Sequence, residues 1–369
     1  MRPGAAGGAL LLTAVHCTQA APSPSAGDSG MDALDTTPDT TSALDAHHQD
    51  SASARDARPR RDTSADTSMA WRGPARLSET GLYADPSRRT LAEGVLSFTP
   101  RYELWTDGAS KRRYLLLPAG SRINTADPDH WRFPQGTRLW KEFRAGDRLL
   151  ETRLLQKVGP GDGMDAWQVV AYVWNDDETD ALAAPNGLEN PRGASHHVPS
   201  IEECQQCHRN VRDVVIGVSA LQLAGAPGTG SLADLGARGW LSDPLAEAPS
   251  IPGEAAVREA LGYLHGNCGH CHNDDSYFHL ESALRLRLSV RDRDPAGTPT
   301  YRTAINVPMF HFYDGIQLGV VPGEPARSQL WVRMSVRDLW AMPNLGSLRP
   351  DPEGLATVRA WILSLRPGG

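Results

Sequence analysis

The sequence predicts an α+β chain of several domains: a β-sandwich-like N-terminal domain, then a mostly α-helical module. Three observations carry this. Between residues 76 and 188, short β-rich runs alternate with turn clusters. Over residues 254–265 and 351–365, apolar residues recur at helical spacing. Two Cys-x-x-Cys-His motifs fall in the second part, Cys204-Gln205-Gln206-Cys207-His208 and Cys268-Gly269-His270-Cys271-His272. A length of 369 residues leaves room for two or three domains.

The first element is an export signal over residues 1–20. Arg2 precedes a small-residue and apolar run, Ala5 to Val15, that is too short to span a bilayer. Either cleavage follows Thr18-Gln19-Ala20, or Cys17 becomes a lipidated N-terminus. His16 stands where the lipoprotein pattern wants a small residue. Residues 21–70 are rich in Ser, Thr, Asp, Ala and Pro, and read as a disordered tether. No later segment reads as a transmembrane helix. The net charge of -7, with no basic block, argues against a nucleic-acid partner.

Residues 71–195 read as the β-rich domain. Its strand runs include Arg113-Tyr114-Leu115-Leu116-Leu117, Arg138-Leu139-Trp140-Lys141-Glu142-Phe143, Thr152-Arg153-Leu154-Leu155, and Trp167 to Trp174. Turn clusters such as Pro118-Ala119-Gly120 and Pro134-Gln135-Gly136 separate them. Trp105, Trp131, Trp140, Trp167 and Trp174 read as core, the alternative being a ligand- or partner-binding face. The polar cluster from Trp105 to Arg113 reads as a solvated turn.

Residues 196–253 hold the first motif, and residues 254–369 hold the second. Val257, Leu261 and Leu264 share one helical face just before Cys268. Leu355, Val358, Ile362 and Leu365 repeat that pattern at the end of the chain, with Pro352 in the first turn. Ser328 to Met334 reads as another helix.

Cys-x-x-Cys-His is the attachment signature of c-type haem. Cys204, Cys207, Cys268 and Cys271 would form thioethers, and His208 and His272 would bind iron. Two Cys-x-x-Cys pairs could instead hold one zinc or form redox disulfides. Neither alternative needs a His after each pair. With 12 His in 369 residues, a double coincidence is on the order of one in a thousand. The expected cofactors are therefore two covalent haems c.

Two helices flanking one such motif give residues 254–369 a resemblance to class I cytochromes c. That family usually supplies a distal Met from a loop before the last helix. Here the loop reads Trp340-Ala341-Met342-Pro343-Asn344-Leu345-Gly346, so Met342 is the expected sixth ligand of the second haem. Such His/Met ligation raises the potential and favours electron transfer. Met309 and Met334 are the other downstream candidates. For the first haem no Met is near. His196, His197, His265, Met309 and His311 are candidates, or the iron is five-coordinate. His270 reads as a filler between thioether cysteines.

From about Leu77 onward the chain also resembles a family of exported two-haem proteins that join a β-rich module to a cytochrome module. The matching pieces are Leu77-Ser78-Glu79-Thr80-Gly81-Leu82, Leu104-Trp105-Thr106-Asp107-Gly108-Ala109 and Trp131-Arg132-Phe133-Pro134-Gln135-Gly136-Thr137. Further on stand Tyr263-Leu264-His265-Gly266-Asn267-Cys268, Val321-Pro322-Gly323-Glu324-Pro325 and Met342-Pro343-Asn344-Leu345-Gly346. The resemblance implies two haems and His/Met ligation of the second. The haem motifs and the export signal together make the leading expectation a periplasmic or exported electron carrier, with protein donor and acceptor as partners and a lipid anchor at Cys17 as one option. The alternatives are a two-haem peroxidase-like enzyme with an open first iron, or a polymer-binding β-domain fused to a cytochrome.

Overall fold

The computed structural model describes residues 71–226 and 228–366, so the expected signal segment, Cys17 and the 21–70 tether lie outside it. The described chain opens with a 3₁₀ turn at Leu77–Thr80 and a hairpin of β1 (Tyr83–Asp85) and β2 (Thr90–Leu91). Six strands follow: β3 (Leu96–Phe98), β4 (Ser110–Leu116), β5 (Arg138–Ala145), β6 (Arg148–Lys157), β7 (Trp167–Trp174) and β8 (Ala181–Ala183). They form one antiparallel sheet in that order, each strand pairing with its neighbour in sequence.

The pleat sends alternate residues to opposite faces. Leu115, Leu139, Leu155 and Val169 stand directly opposite one another across four strands on one face. Tyr114, Trp140, Leu154 and Val170 do the same on the other. Both rows are buried, so the strands are apolar on both sides. Leu77, Leu82 and Tyr83 cover the Trp140 face. The Leu139 face packs on residues from the rest of the chain, including Cys204, Val214, Leu221, Leu261 and Leu288. Each fully buried side chain of this size contributes roughly 1.5–3 kcal/mol.

After the sheet come a two-residue pair, β9 (Leu188–Glu189) with β10 (His197–Val198), and the helices α1 (Ile201–His208), α2 (Ala220–Leu223), α3 (Leu232–Ala237) and α4 (Ala255–Asn267). The chain then adds α5 (Pro299–Ala304), the hairpin β11 (Pro308–Tyr313) with β12 (Ile316–Leu318), α6 (Gln329–Ser335) and α7 (Pro352–Ser364). α4 and α7 share a core of Leu264, Val358, Trp361 and Ile362, with Leu330 and Met334 from α6. The described residues belong to one compact unit, Ala65–Gly369. No helix among them is long and apolar enough to cross a membrane.

This architecture corrects the expected β-sandwich-like domain followed by a mostly α-helical class I cytochrome c-like module. There is one large sheet, and its second layer is not another sheet. A 3₁₀ turn and a small hairpin cover one face, and helices and loops cover the other. The part after residue 196 is not mostly helical. Its helices run from four to thirteen residues, and the stretch between α4 and α6 is chiefly turns, one short helix and the β11–β12 hairpin. Pro295, Pro299 and Pro308 punctuate that stretch and, with Gly297, keep helical runs short.

Candidate haem-binding site

The first motif sits on α1, a helix with a complete capping box. Ser200 Oγ accepts from Glu203 N at 3.2 Å, and Glu203 Oε2 accepts from Ser200 N at 2.8 Å. Cys204, Cys207 and His208 lie at i, i+3 and i+4, which puts them on one helix face. The second motif continues from α4. The amides of Cys268 and Gly269 both donate to Leu264 O at 2.9 Å, and His272 N donates to Cys268 O at 2.9 Å. A Cβ on Gly269 would stand 2.7 Å from His265 O, so only glycine fits this turn.

His208 has the geometry expected of an iron ligand. Its Nδ1 lies 2.6 Å from Val214 O. A carbonyl only accepts, so Nδ1 carries the proton and Nε2 keeps its lone pair. Burial lowers the basicity of His208, which favours this neutral form. The Val214 carbonyl is aimed by an unusual backbone: Asp213 and Val214 both have φ of 50°. A β-branched residue there is strained. Asp213 holds the segment. Its carboxylate accepts from Lys157 Nζ at 2.6 Å, Trp167 Nε1 at 2.7 Å and Phe133 N at 2.5 Å.

The two motifs meet. Asn210 Nδ2, two residues past the first motif, donates to Cys271 Sγ of the second at 4.0 Å. Asn210 and Asn273, just beyond the motifs, stitch them together. Asn273 Nδ2 donates to Asn210 O at 3.1 Å, and Ser276 Oγ donates to Asn210 Oδ1 at 3.0 Å. Burial pushes Cys204 and Cys268 up to about 12, keeping both as thiols.

A cavity of about 200 Å³, partly open to solvent, lies between the sheet and these segments. Cys204, Cys207 and His208 line it from α1, Cys268 and His270 from the second motif, Met334 from α6, and Met342 and Leu345 from the loop before α7. Leu139, Leu155 and Val169 supply its apolar sheet wall. Cys271 and His272 lie beside this cavity and are not on its wall. His272 is held to about 4, first by burial and then by the nearby His270. The Nδ1 atoms of His270 and His272 are buried without a hydrogen-bond partner. His270, read from the sequence as a filler, instead lines the cavity.

The histidine candidates for the first sixth position are engaged elsewhere. His196 Nε2 is 2.7 Å from Glu151, and both ring nitrogens of His197 meet carboxylates, Glu189 at 2.6 Å and Glu203 at 3.0 Å. His265 Nδ1 accepts from Leu288 N at 3.0 Å, so its proton sits on Nε2. Met309 packs in the α4–α7 core, and His311 lies exposed beside the Trp340 ring.

Four of the five tryptophans named above, Trp131, Trp140, Trp167 and Trp174, are buried at 5 % exposure or less. The polar cluster after Trp105 is not a solvated turn. Asp107 is buried and accepts from Leu348 N and Arg349 N, both at 2.9 Å, bracing the loop that follows Met342. The sequence reading missed Asp107, Asp213, Asn210 and Asn273. The asparagines carried a signal, since each follows its motif within two residues.

The chain fits haem on several independent counts. It offers paired thiols, a histidine with Nδ1 tied to a carbonyl, an apolar-walled space and two methionine sulfurs. Among the described residues no three His, Cys, Asp or Glu gather closely enough to hold a bare metal ion. Comparison with protein-family models, curated proteins and solved structures finds no match for this chain.

Proposed function

We propose that this chain is an exported two-haem c-type cytochrome, of the two-haem family it resembles in sequence, that passes electrons between protein partners. Cys204 and Cys207 tether one porphyrin and Cys268 and Cys271 the other. His208 and His272 serve as iron ligands, and Met342 is the sixth ligand of the second haem. The observation that carries this reading is the meeting of the two motifs, tied through Asn210 and Asn273, with cysteines of both lining one cavity. Motifs this close would bring the two porphyrins near each other and give electrons a short path. Haem iron held this way supplies one-electron chemistry. The protein's own residues hold the groups, keep water from their faces and fix the His208 tautomer.

A second reading is a haem enzyme of the peroxidase type, with an open iron at His208. What favours it is the engagement of His196, His197 and His265 with other partners.

The test is spectroscopy of the purified protein. Acid–acetone should leave the haem on the polypeptide, and pyridine haemochrome should give about two haems per chain. Loss of all haem to the organic phase would overturn the proposal. A high-spin ferric signal from one haem would select the enzyme reading over the carrier.

A further inference from the structure

The cavity's sheet wall carries three cations in one row. Arg113 on β4, Lys141 on β5 and Arg153 on β6 stand directly opposite one another, and all three line the cavity. Like charges directly opposite across strands are destabilising, so such a row calls for an anion. The protein supplies part of one. Glu103 pairs with Arg113 at 3.0 Å, and Glu151 pairs with Arg153 at 2.6 Å. Lys141, the middle member, has no hydrogen bond or ion pair to any described residue. Arg113 is 7 % exposed, yet its Nη2 has no partner either. Burial, then Arg113 and Arg153, push the Lys141 ammonium well below its usual pKa. Lys141 Nζ, 4.9 Å from the centre of the Phe143 ring, and Arg113 Nη2 thus border an apolar-walled space with no hydrogen-bond acceptor for either among the described residues.

We propose that the Arg113–Lys141–Arg153 row is a carboxylate-binding site, taking the propionate groups of the porphyrin tethered at Cys204 and Cys207. This rests on the two-haem reading. The row lies beside the first motif: Lys141 is close enough to His208 to act on its charge, and Arg153 acts on both Cys204 and Cys207. A porphyrin tethered there presents two carboxylates that cannot be left unpaired in a low-dielectric space. Arg113 and Lys141 would meet that need, and the carboxylates would quench the repulsion along the row.

The test uses the haem-loaded full chain and Lys141→Met, which keeps the side-chain length and removes the charge. The propionate bending bands in the resonance Raman spectrum should shift, and the reduction potential of the His208 haem should fall. Lys141→Arg should restore both. Lys141→Gln gives the same reading if the Met variant folds poorly. Unchanged bands and potential in haem-loaded Lys141→Met would overturn the proposal. So would a wild-type potential that responds saturably to added inorganic phosphate and loses that response in Lys141→Met, because the row would then hold a free anion. Absence of covalent haem by pyridine haemochrome marks failure of the two-haem reading itself, a separate result.

Discussion

Lys157 Nζ and Asp213 Oδ1 form an ion pair at 2.6 Å, with side chains only 2 % and 0 % exposed. The pair joins β6 to the loop that follows the first motif, and it sits one residue from the carbonyl that orients His208. Removing one member of a buried pair leaves a bare charge, which costs about 3–5 kcal/mol. Asp213→Ala should therefore lower the unfolding free energy by that amount in chemical denaturation. The Asp213→Leu, Lys157→Met double variant, with neither charge, should recover most of it. The double variant should still differ from wild type in the spectrum of the His208 haem, because the Val214 carbonyl is no longer braced.

Met342 and Met334 both line the cavity, but their surroundings differ. Met334 is 7 % exposed and packs in the α4–α7 core, whereas Met342 is half-buried in a loop. Met334→Ala should cost about 2–5 kcal/mol of stability and leave iron ligation intact. Met342→Ala should cost less stability. It should also remove the weak long-wavelength band of ferric iron–methionine ligation and lower one haem's potential. If the spectral loss follows Met334→Ala instead, Met334 is the ligand.

Glu151 is fully buried between Arg153 and His196, which it meets at 2.6 and 2.7 Å. Burial alone would raise its pKa, but Arg153 and His196 outweigh burial and bring it below 4.5. A carboxylate with a depressed native pKa stabilises the fold in full above its unfolded value. That contribution fades as pH falls through the native value. Unfolding free energy should therefore drop as pH falls below 4.5 in the wild type. In Glu151→Gln it should be lower at neutral pH and flatter on the acid side.

Gly262 and Gly266 in α4 let the Tyr102 ring and backbone lie against the helix just before Cys268. Alanine is the better helix former by about 1 kcal/mol. Gly262→Ala should nonetheless destabilise, because its Cβ would fall on the Tyr102 ring. Tyr102→Ala combined with Gly262→Ala should relieve the clash, so the two effects should be strongly non-additive in a thermal melt.

Much of the fold was legible in the sequence. Trp167–Trp174 became β7, residues 254–265 fall largely within α4, and residues 351–365 span α7. What alternation and turn spacing could not supply was the second layer. The missed signal lay inside the strands: Tyr114-Leu115, Leu139-Trp140, Leu154-Leu155 and Val169-Val170 are apolar pairs, and adjacent apolar residues in a strand mean burial on both faces. β3 and β8 are three residues each, too short for any period. At the site the cysteines and histidines were readable because the motif is local. Asp107 and Asp213 were not, because each acts on a partner far along the chain: Leu348 in one case, Lys157 in the other.

Cys204 is only 6 % exposed, and Cys268 sits in surroundings that suppress thiolate formation. Forming a thioether requires a porphyrin vinyl group to reach each thiol, whose S–H then adds across the vinyl double bond. On the two-haem reading, porphyrin must therefore join the polypeptide while α1 and the Cys268 turn are still loose, and the sheet closes over it afterwards. Assembly then has a fixed order: ligation first, collapse second. A chain that collapsed early would shut its own tethering sulfurs away from the haem they are meant to receive.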